Sequence, residues 1–359
     1  MNCSFIKARI KGFSLTELMV AMTIGLIIMA AAATILVNSQ KNYVTQDSLA
    51  RLQENARFAM GFLIKDIRRT GYFGCASKEA SDPNKIINHL DGPIPPDANY
   101  MIPIEGWQSG TAQTWLPSGN ALGVATYGIS DAIRLRSLDT DNPITLLTDM
   151  PQPSADLKLT VNSGYADGDI LMITDCKTTE VVQVTNITTG NPWDNVVHNT
   201  GSQSGISPGN ASMLNKAYSA GTSVLKVVST IYYIGTGSSG QPALYRKKGS
   251  AAAQELVEGI ENLQVLYGVD DTFGDRVPHK YVTANNVTNW ANVVSLRVGI
   301  LARTLANKTA SNQTGKDFGT DIDTKSYDVD GDGVSETLPA NDRYTRHVFS
   351  STVVLRNLK

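Results

Sequence analysis

The densest chemistry in this chain is a run of alternating carboxylates, Asp328-Val329-Asp330-Gly331-Asp332-Gly333-Val334-Ser335-Glu336. Acidic side chains at every second position, followed by a glycine turn, can wrap their oxygens around one point. A calcium ion asks for about six to eight such hard oxygens at roughly 2.3–2.6 Å. The expected ligands are Asp328, Asp330 and Asp332 through their side chains, Val334 through its carbonyl, and Glu336 directly or through water. The pattern is the first half of a calcium loop whose twelfth position is normally a bidentate glutamate. Here that position is Pro339, which leaves Asp321, Asp323 or Asp342 to substitute. The bland alternative is an Asp/Gly-rich solvated turn. Carboxylates this dense repel one another without a cation, so Ca2+ is the expectation.

A second carboxylate stands out by position. Glu17 opens an apolar run, Leu18 to Val37, and no charged residue or proline occurs from Leu18 to Gln40. About 20 apolar residues span roughly 30 Å as a helix, enough to cross a bilayer core. Lys7, Arg9 and Lys11 precede the run without an acidic residue, which marks the cytoplasmic end and sends the polar remainder across the membrane. A carboxylate entering hydrocarbon costs about 2.5–3.5 kcal/mol, so Glu17 needs a partner.

The segment Lys11-Gly12-Phe13-Ser14-Leu15-Thr16-Glu17-Leu18-Met19-Val20-Ala21-Met22 resembles the leader junction of type IV prepilins. The resemblance implies that a prepilin peptidase cuts between Gly12 and Phe13 and methylates the new terminal Phe13. It also implies that Glu17 pairs with the terminal amine of a neighbouring subunit during assembly. Such a pairing agrees with the physics, since two buried charges become tolerable when they meet. An ordinary signal peptide has a shorter apolar core, and a plain membrane anchor leaves Gly-Phe-Ser-Leu-Thr-Glu unexplained.

The elements that must carry these residues follow from periodicity. Between Asn38 and Thr70 there is no proline, and Leu49, Leu52, Ala56, Met60, Leu63 and Ile67 recur at three- and four-residue spacing. One helix is therefore expected from Phe13 to Thr70, with Gly71 as a left-handed stop. Its first half faces lipid or partners and its second lays one face on a head. Proline-rich ordered loops are expected to about Asn120, then strands at Ala132–Leu138, Leu157–Val161, Ile170–Thr174 and Glu180–Ile187. Asn199–Thr222, rich in Ser, Gly and Asn, reads as a mobile surface loop. Further strands are expected at Ser223–Ile234, Ala243–Lys247, Gln264–Val269, Asn292–Thr304 and His347–Leu355, with a short helix over Glu255–Leu263. The fold class is α+β and pilin-like, one long N-terminal α-helix packed on a C-terminal antiparallel β-rich head. The expected organisation is a leader at 1–12, the membrane and assembly half of the helix at 13–40, its amphipathic half at 41–71, and a periplasmic head at 72–359.

The second half resembles the PilW family of minor pilins, and the J-type minor pseudopilins of type II secretion beyond it. Tyr232-Tyr233-Ile234, Leu244-Tyr245-Arg246, Glu255–Asp270 and the closing Arg346–Asn357 carry that likeness. It implies an inner-membrane, single-pass subunit that joins other minor pilins and the major pilin, primes a type IV pilus and caps its tip. A large head would crowd a closely packed shaft, which also favours the tip. The rivals are a J-type pseudopilin and a tip adhesin contacting surfaces through Asn199–Thr222. Cys3 leaves with the leader, and the remaining Cys75 and Cys176 are expected to pair in the oxidising periplasm. A formal net charge of −2 without a basic stripe argues against nucleic acid. His89, His198, His279 and His347 are scattered, each read as a surface or satisfied core residue, and no hydrolase or phosphate-loop motif occurs. No enzyme is expected.

Overall fold

The computed structural model describes residues 14–76, 86–108, 130–141, 143–201, 207–271, 275–305, 326–334 and 344–357. Helix α1 runs Leu15–Arg69. It ends because Thr70 leaves helical geometry and Gly71 takes a positive φ of 71°, donating its N–H to the Arg136 carbonyl at 2.9 Å. Strands follow in order as β1 (Ile86–Asn88), β2 (Ile104–Trp107), β3 (Ala132–Leu138), β4 (Ile144–Thr145), β5 (Leu157–Leu159), β6 (Ile170–Thr174), β7 (Thr179–Gln183) and β8 (Asn186–Thr188). The second series is β9 (Asp194–Val197), β10 (Ser223–Thr236), β11 (Pro242–Lys248), β12 (Gln254–Glu258), β13 (Ile260–Val269), β14 (Lys280–Val282), β15 (Val293–Arg303) and β16 (Arg346–Val354).

Three sheets result. The long β10 organises the largest, pairing with β6, β4, β3 and β11, with β1-β7 and β12 outward and β2 beside β3. A second sheet has the order β14-β13-β15-β16, and a third β5-β9-β8. The second half of α1 lies across β12, β13, β15 and β16. Leu52, Ala56, Ala59, Met60, Leu63 and Ile67 of the helix are buried there against Leu263, Val265, Leu296, Val298 and Ile300. The predicted stripe is therefore the packed face, with Ala59 added and Leu49 only half-buried. Each fully buried Leu or Ile contributes about 1.5–3 kcal/mol, which fixes the helix on the sheet. Polar ties flank the apolar contact: Tyr232 Oη donates to Asp66 Oδ2 at 2.6 Å, and Asn357 Nδ2 donates to the Arg68 carbonyl at 3.0 Å.

Three expectations are corrected. Glu255–Leu263 is not helical: β12 and β13 meet at Gly259, whose φ of 78° makes the turn and whose hydrogen side leaves room for the Arg303 carbonyl. Leu256, Val257, Ile260 and Leu263 have a helix-like spacing, but a sharp turn between two successive strands of different sheets produces the same spacing. Glu180–Ile187 divides, because the chain leaves β6 after Gln183 and joins β9 from Asn186. Asn199–Thr222, as far as it is described, lies on the surface as expected but is pinned there by a few buried side chains. Leu214 and Tyr218 enter a core, and the fully buried Asn210 completes a strand-like pairing with the backbone N–H and carbonyl of Gln183 at 2.7 and 2.8 Å.

Candidate functional site

Gly12 and Phe13 lie outside the described residues, so the amino-terminal site begins at Ser14. The Ser14 backbone N–H donates to Glu17 Oε2 at 2.9 Å, and the Glu17 N–H donates to Ser14 Oγ at 3.2 Å. This reciprocal capping box satisfies two of the orphan N–H groups at the helix start. It also sets a carboxylate at the positive end of the helix dipole. The partner that Glu17 needs is thus supplied in the single chain by its own first turn. Behind it Leu18, Met19, Ile24, Leu26, Ile27, Ile28, Ile35 and Leu36 are all exposed. Among the described residues α1 is the one helix long and apolar enough to cross a membrane.

The acidic loop is held on the sheet face opposite α1. Residues 296, 298, 300 and 302 of β15 point to the helix, so Arg297 and Gly299 point away from it. A Cβ at Gly299 would overlap the Val329 carbonyl oxygen, so only glycine lets the loop approach. Val329 is fully buried, and Arg297 Nη1 donates to the Gly331 carbonyl at 3.0 Å. Within the loop Asp328 accepts from the N–H groups of Gly331 and Gly333, Asp330 from Asp332, and Asp332 from Val334. One carboxylate oxygen from each of Asp328, Asp330 and Asp332 lies within 4.8 Å of the others. Burial, with the charges of Asp332 and Asp328 beside it, pushes the Asp330 carboxyl above its usual range. The three acids could therefore hold a cation. Val334 is exposed, while Glu336, Asp321, Asp323, Asp342 and Pro339 lie outside the described residues.

Cys75 and Cys176 form the expected disulfide, with their Cα atoms 5.0 Å apart across a separation of 101 residues. It joins the short turn after α1 to the loop between β6 and β7. The helix end is thereby tied to the far lobe of the head.

Two side-chain clusters were not foreseen. His89 is buried, with Nε2 donating to Glu180 Oε2 at 2.6 Å and Nδ1 meeting Ser212 Oγ at 2.7 Å. Glu180 also accepts from Tyr218 Oη at 2.9 Å and the Asn215 N–H at 2.7 Å. Burial raises its carboxyl, but these donors outweigh burial and hold it below the ordinary value. Here the reading of His89 as a satisfied core residue is the right one, although its partners Glu180 and Ser212 come from two distant segments. The other cluster is Asp270, Asp275 and His279 at the loop end of the β13–β14 hairpin. Only the strand register, with Val269 opposite Lys280, reveals that Asp270 and His279 are neighbours.

Comparison with known proteins assigns both ends of the chain. The model of the type IV pilus-assembly protein W matches residues 231–357, from the second half of β10 through β16 and the acidic loop. That of the prokaryotic N-terminal methylation motif matches residues 7–33, across Gly12, Phe13 and Glu17. No curated protein and no solved structure matches the chain. The methylation motif across the start of the long apolar helix and the PilW match over the sheet that closes on it together match a PilW-family type IV minor pilin.

Proposed function

We propose that the chain is an inner-membrane subunit that, after cleavage between Gly12 and Phe13, joins other minor pilins and the major pilin to prime a type IV pilus and cap its tip. One observation carries the reading. A single 55-residue helix exposes its apolar amino-terminal half entirely and buries one face of the other half under the matched sheet. Such a helix suits a subunit that waits in the membrane and is then lifted into a bundle of similar helices. The amino terminus stays cytoplasmic and the head periplasmic until assembly carries it to the cell surface. Its role is structural rather than catalytic. The same architecture suits a J-type pseudopilin, and deletion of the gene followed by imaging of surface pili separates the two. Loss of pili supports the pilus reading, whereas intact pili with failed secretion overturns it. An adhesin should still bind a surface when purified alone, whereas an assembly factor should show affinity mainly for other pilins.

Glu17→Ala tests the assembly step. The variant should be cleaved normally yet fail to co-purify with partner pilins, because the carboxylate that would leave its own cap for a neighbour's amine is gone. Wild-type recovery of partners overturns the role.

The acidic loop is read as a calcium site that orders the carboxyl-terminal part of the head, with Asp328, Asp330, Asp332, Val334 and Glu336 as ligands. The support is three convergent carboxylates on a loop seated over Gly299. An ion bound only by the folded head stabilises it by about 2.7 kcal/mol at 100-fold excess over Kd. Calorimetry should show calcium binding that Asp330→Ala with Asp332→Ala abolishes. No binding up to millimolar calcium would reduce the loop to an acidic turn.

A further inference from the structure

We infer that Asp270, Asp275 and His279 form a second metal site, one that takes a transition ion of the zinc type rather than calcium. Asp270 directly follows β13 and His279 directly precedes β14, so the hairpin register sets them side by side. The His279 N–H donates to the Val269 carbonyl at 3.0 Å, which fixes the backbone carrying the ring. Asp275 comes from the connecting loop. Each carboxylate has one oxygen held by a loop amide: Asp270 Oδ2 accepts from the Arg276 N–H at 2.8 Å, and Asp275 Oδ1 from the Val277 N–H at 2.9 Å. The other oxygen of each faces the imidazole, Asp270 Oδ1 at 3.7 Å from Nδ1 and Asp275 Oδ2 at 3.8 Å from Nε2. Both distances exceed hydrogen-bond length. One ring nitrogen and one oxygen of each carboxylate lie within 4.8 Å of one another.

A zinc ion with bonds of about 2.0–2.2 Å sets its ligand atoms roughly 3.3–3.5 Å apart, so the two carboxylates must draw in from separations of up to 4.8 Å around one ring nitrogen. The donor set discriminates between cations. Calcium and magnesium prefer oxygen throughout, whereas imidazole with carboxylates suits zinc and its neighbours. Asp270 is only 8% exposed, whereas Asp275 and His279 are exposed, so the site has one buried ligand and opens to solvent on the other side. The nearby lysine is directed elsewhere, since Lys280 Nζ pairs with Asp271 Oδ2 at 2.5 Å. Three protein ligands leave a position for water, and the ion would staple the hairpin.

The location gives the staple a role. Asp270 donates its N–H to the Asn292 carbonyl, and Leu355 donates to the Val294 carbonyl. Two residues on, Asn357 holds the carbonyl end of α1 at Arg68. The site therefore braces the sheet end beside the helix terminus, the end of the head that faces away from the apolar half of α1.

The test uses the full chain in detergent, carrying Asp330→Asn and Asp332→Asn so that the acidic loop cannot compete. Zn2+ titrated by calorimetry should bind one ion per chain, and millimolar Ca2+ or Mg2+ should not displace it. His279→Gln and, separately, the more exposed Asp275→Asn should each weaken binding by at least about the 10–100-fold that even an outer-shell change costs. With Co2+ as the probe, the visible spectrum of the bound ion should change in His279→Gln. Circular dichroism checks that each variant is folded. No uptake of Zn2+, or uptake that neither variant weakens, overturns the site and leaves an ion-pair cluster.

Discussion

In the half of the head that faces α1, Leu52, Leu63 and Ile67 meet Leu296, Val298 and Ile300 across one apolar core. In the half between Ile86 and Leu225, two smaller cores flank a hub in which Glu180 gathers His89, Tyr218 and the Asn215 amide. The helix-facing half also buries charge, but on the other face of its sheet: a bulge after Ile260 turns Glu261 toward Arg303 and Arg346, which donate to it at 2.9 and 2.6 Å. There the polar contacts link strands that are already hydrogen-bonded. In the lobe they replace strands, as when Asn210 acts as one residue of a neighbour to β7. The PilW match covers the first half and stops short of the second. The matched residues include the strands that close on the helix, and the lobe, outside the match, is fastened to them.

The fastening is covalent, and removing it should have the largest effect. Cys75→Ser with Cys176→Ser opens a loop of 101 residues. In the chain-entropy model that is worth about 4–5 kcal/mol, less where the reduced chain keeps structure. We expect the lobe to melt first and separately, with amides of β6 and β7 exchanging while those of β13 and β15 stay protected. A single shared transition, shifted as a whole, would make the two halves one cooperative unit and end the distinction.

The converse substitution is Leu63→Ala. Leu63 is fully buried between α1 and the second sheet, and such truncations cost about 2–5 kcal/mol. Hydrogen exchange should now rise in β13, β15 and β16 and leave β6 and β7 unchanged. Equal loss of protection on both sides would show that the lobe depends on the helix-facing core as well as on the disulfide.

The same contrast explains what the sequence made legible. The helix, its buried stripe, β3 and β6 were readable because periodicity and β-branched runs are local signals. The bounds of β3 and β6 agree to the residue. Glu255–Leu263 misled because Gly259 turns the chain inside a pattern that also fits one helix face. Asn199–Thr222 misled because composition cannot show that Asn210 will find Gln183 or that Tyr218 will find Glu180. Of the candidate site residues, Cys75 and Cys176 pair as two cysteines bound for an oxidising compartment imply, and the three aspartates lie together as their alternation implies. Glu17 is legible as a carboxylate in need of a partner, while its pairing with Ser14 emerges only from the helix-start geometry. His279 carries no local signal because its companions are neighbours only across a hairpin.

The smallest expected effect is the most specific to the lobe. Glu180 is fully buried, and its donors hold the carboxyl below its ordinary value of 4.5. A group depressed on folding adds stability above its unfolded pKa and loses it as pH falls through the folded one. The hub should therefore stay closed at neutral pH and open only in acid below pH 4.5, when a protonated Glu180 can no longer accept from His89, Tyr218 and Asn215 together. Glu180→Gln keeps the shape but removes the charge, and should cost about 1–3 kcal/mol at pH 7 by weakening those bonds. It should also flatten the acid dependence of the lobe's melting while that of the helix-facing half stays as it was. If the variant retains the wild-type acid profile, other carboxylates set it, and the hub is a packing feature rather than the lobe's electrostatic anchor.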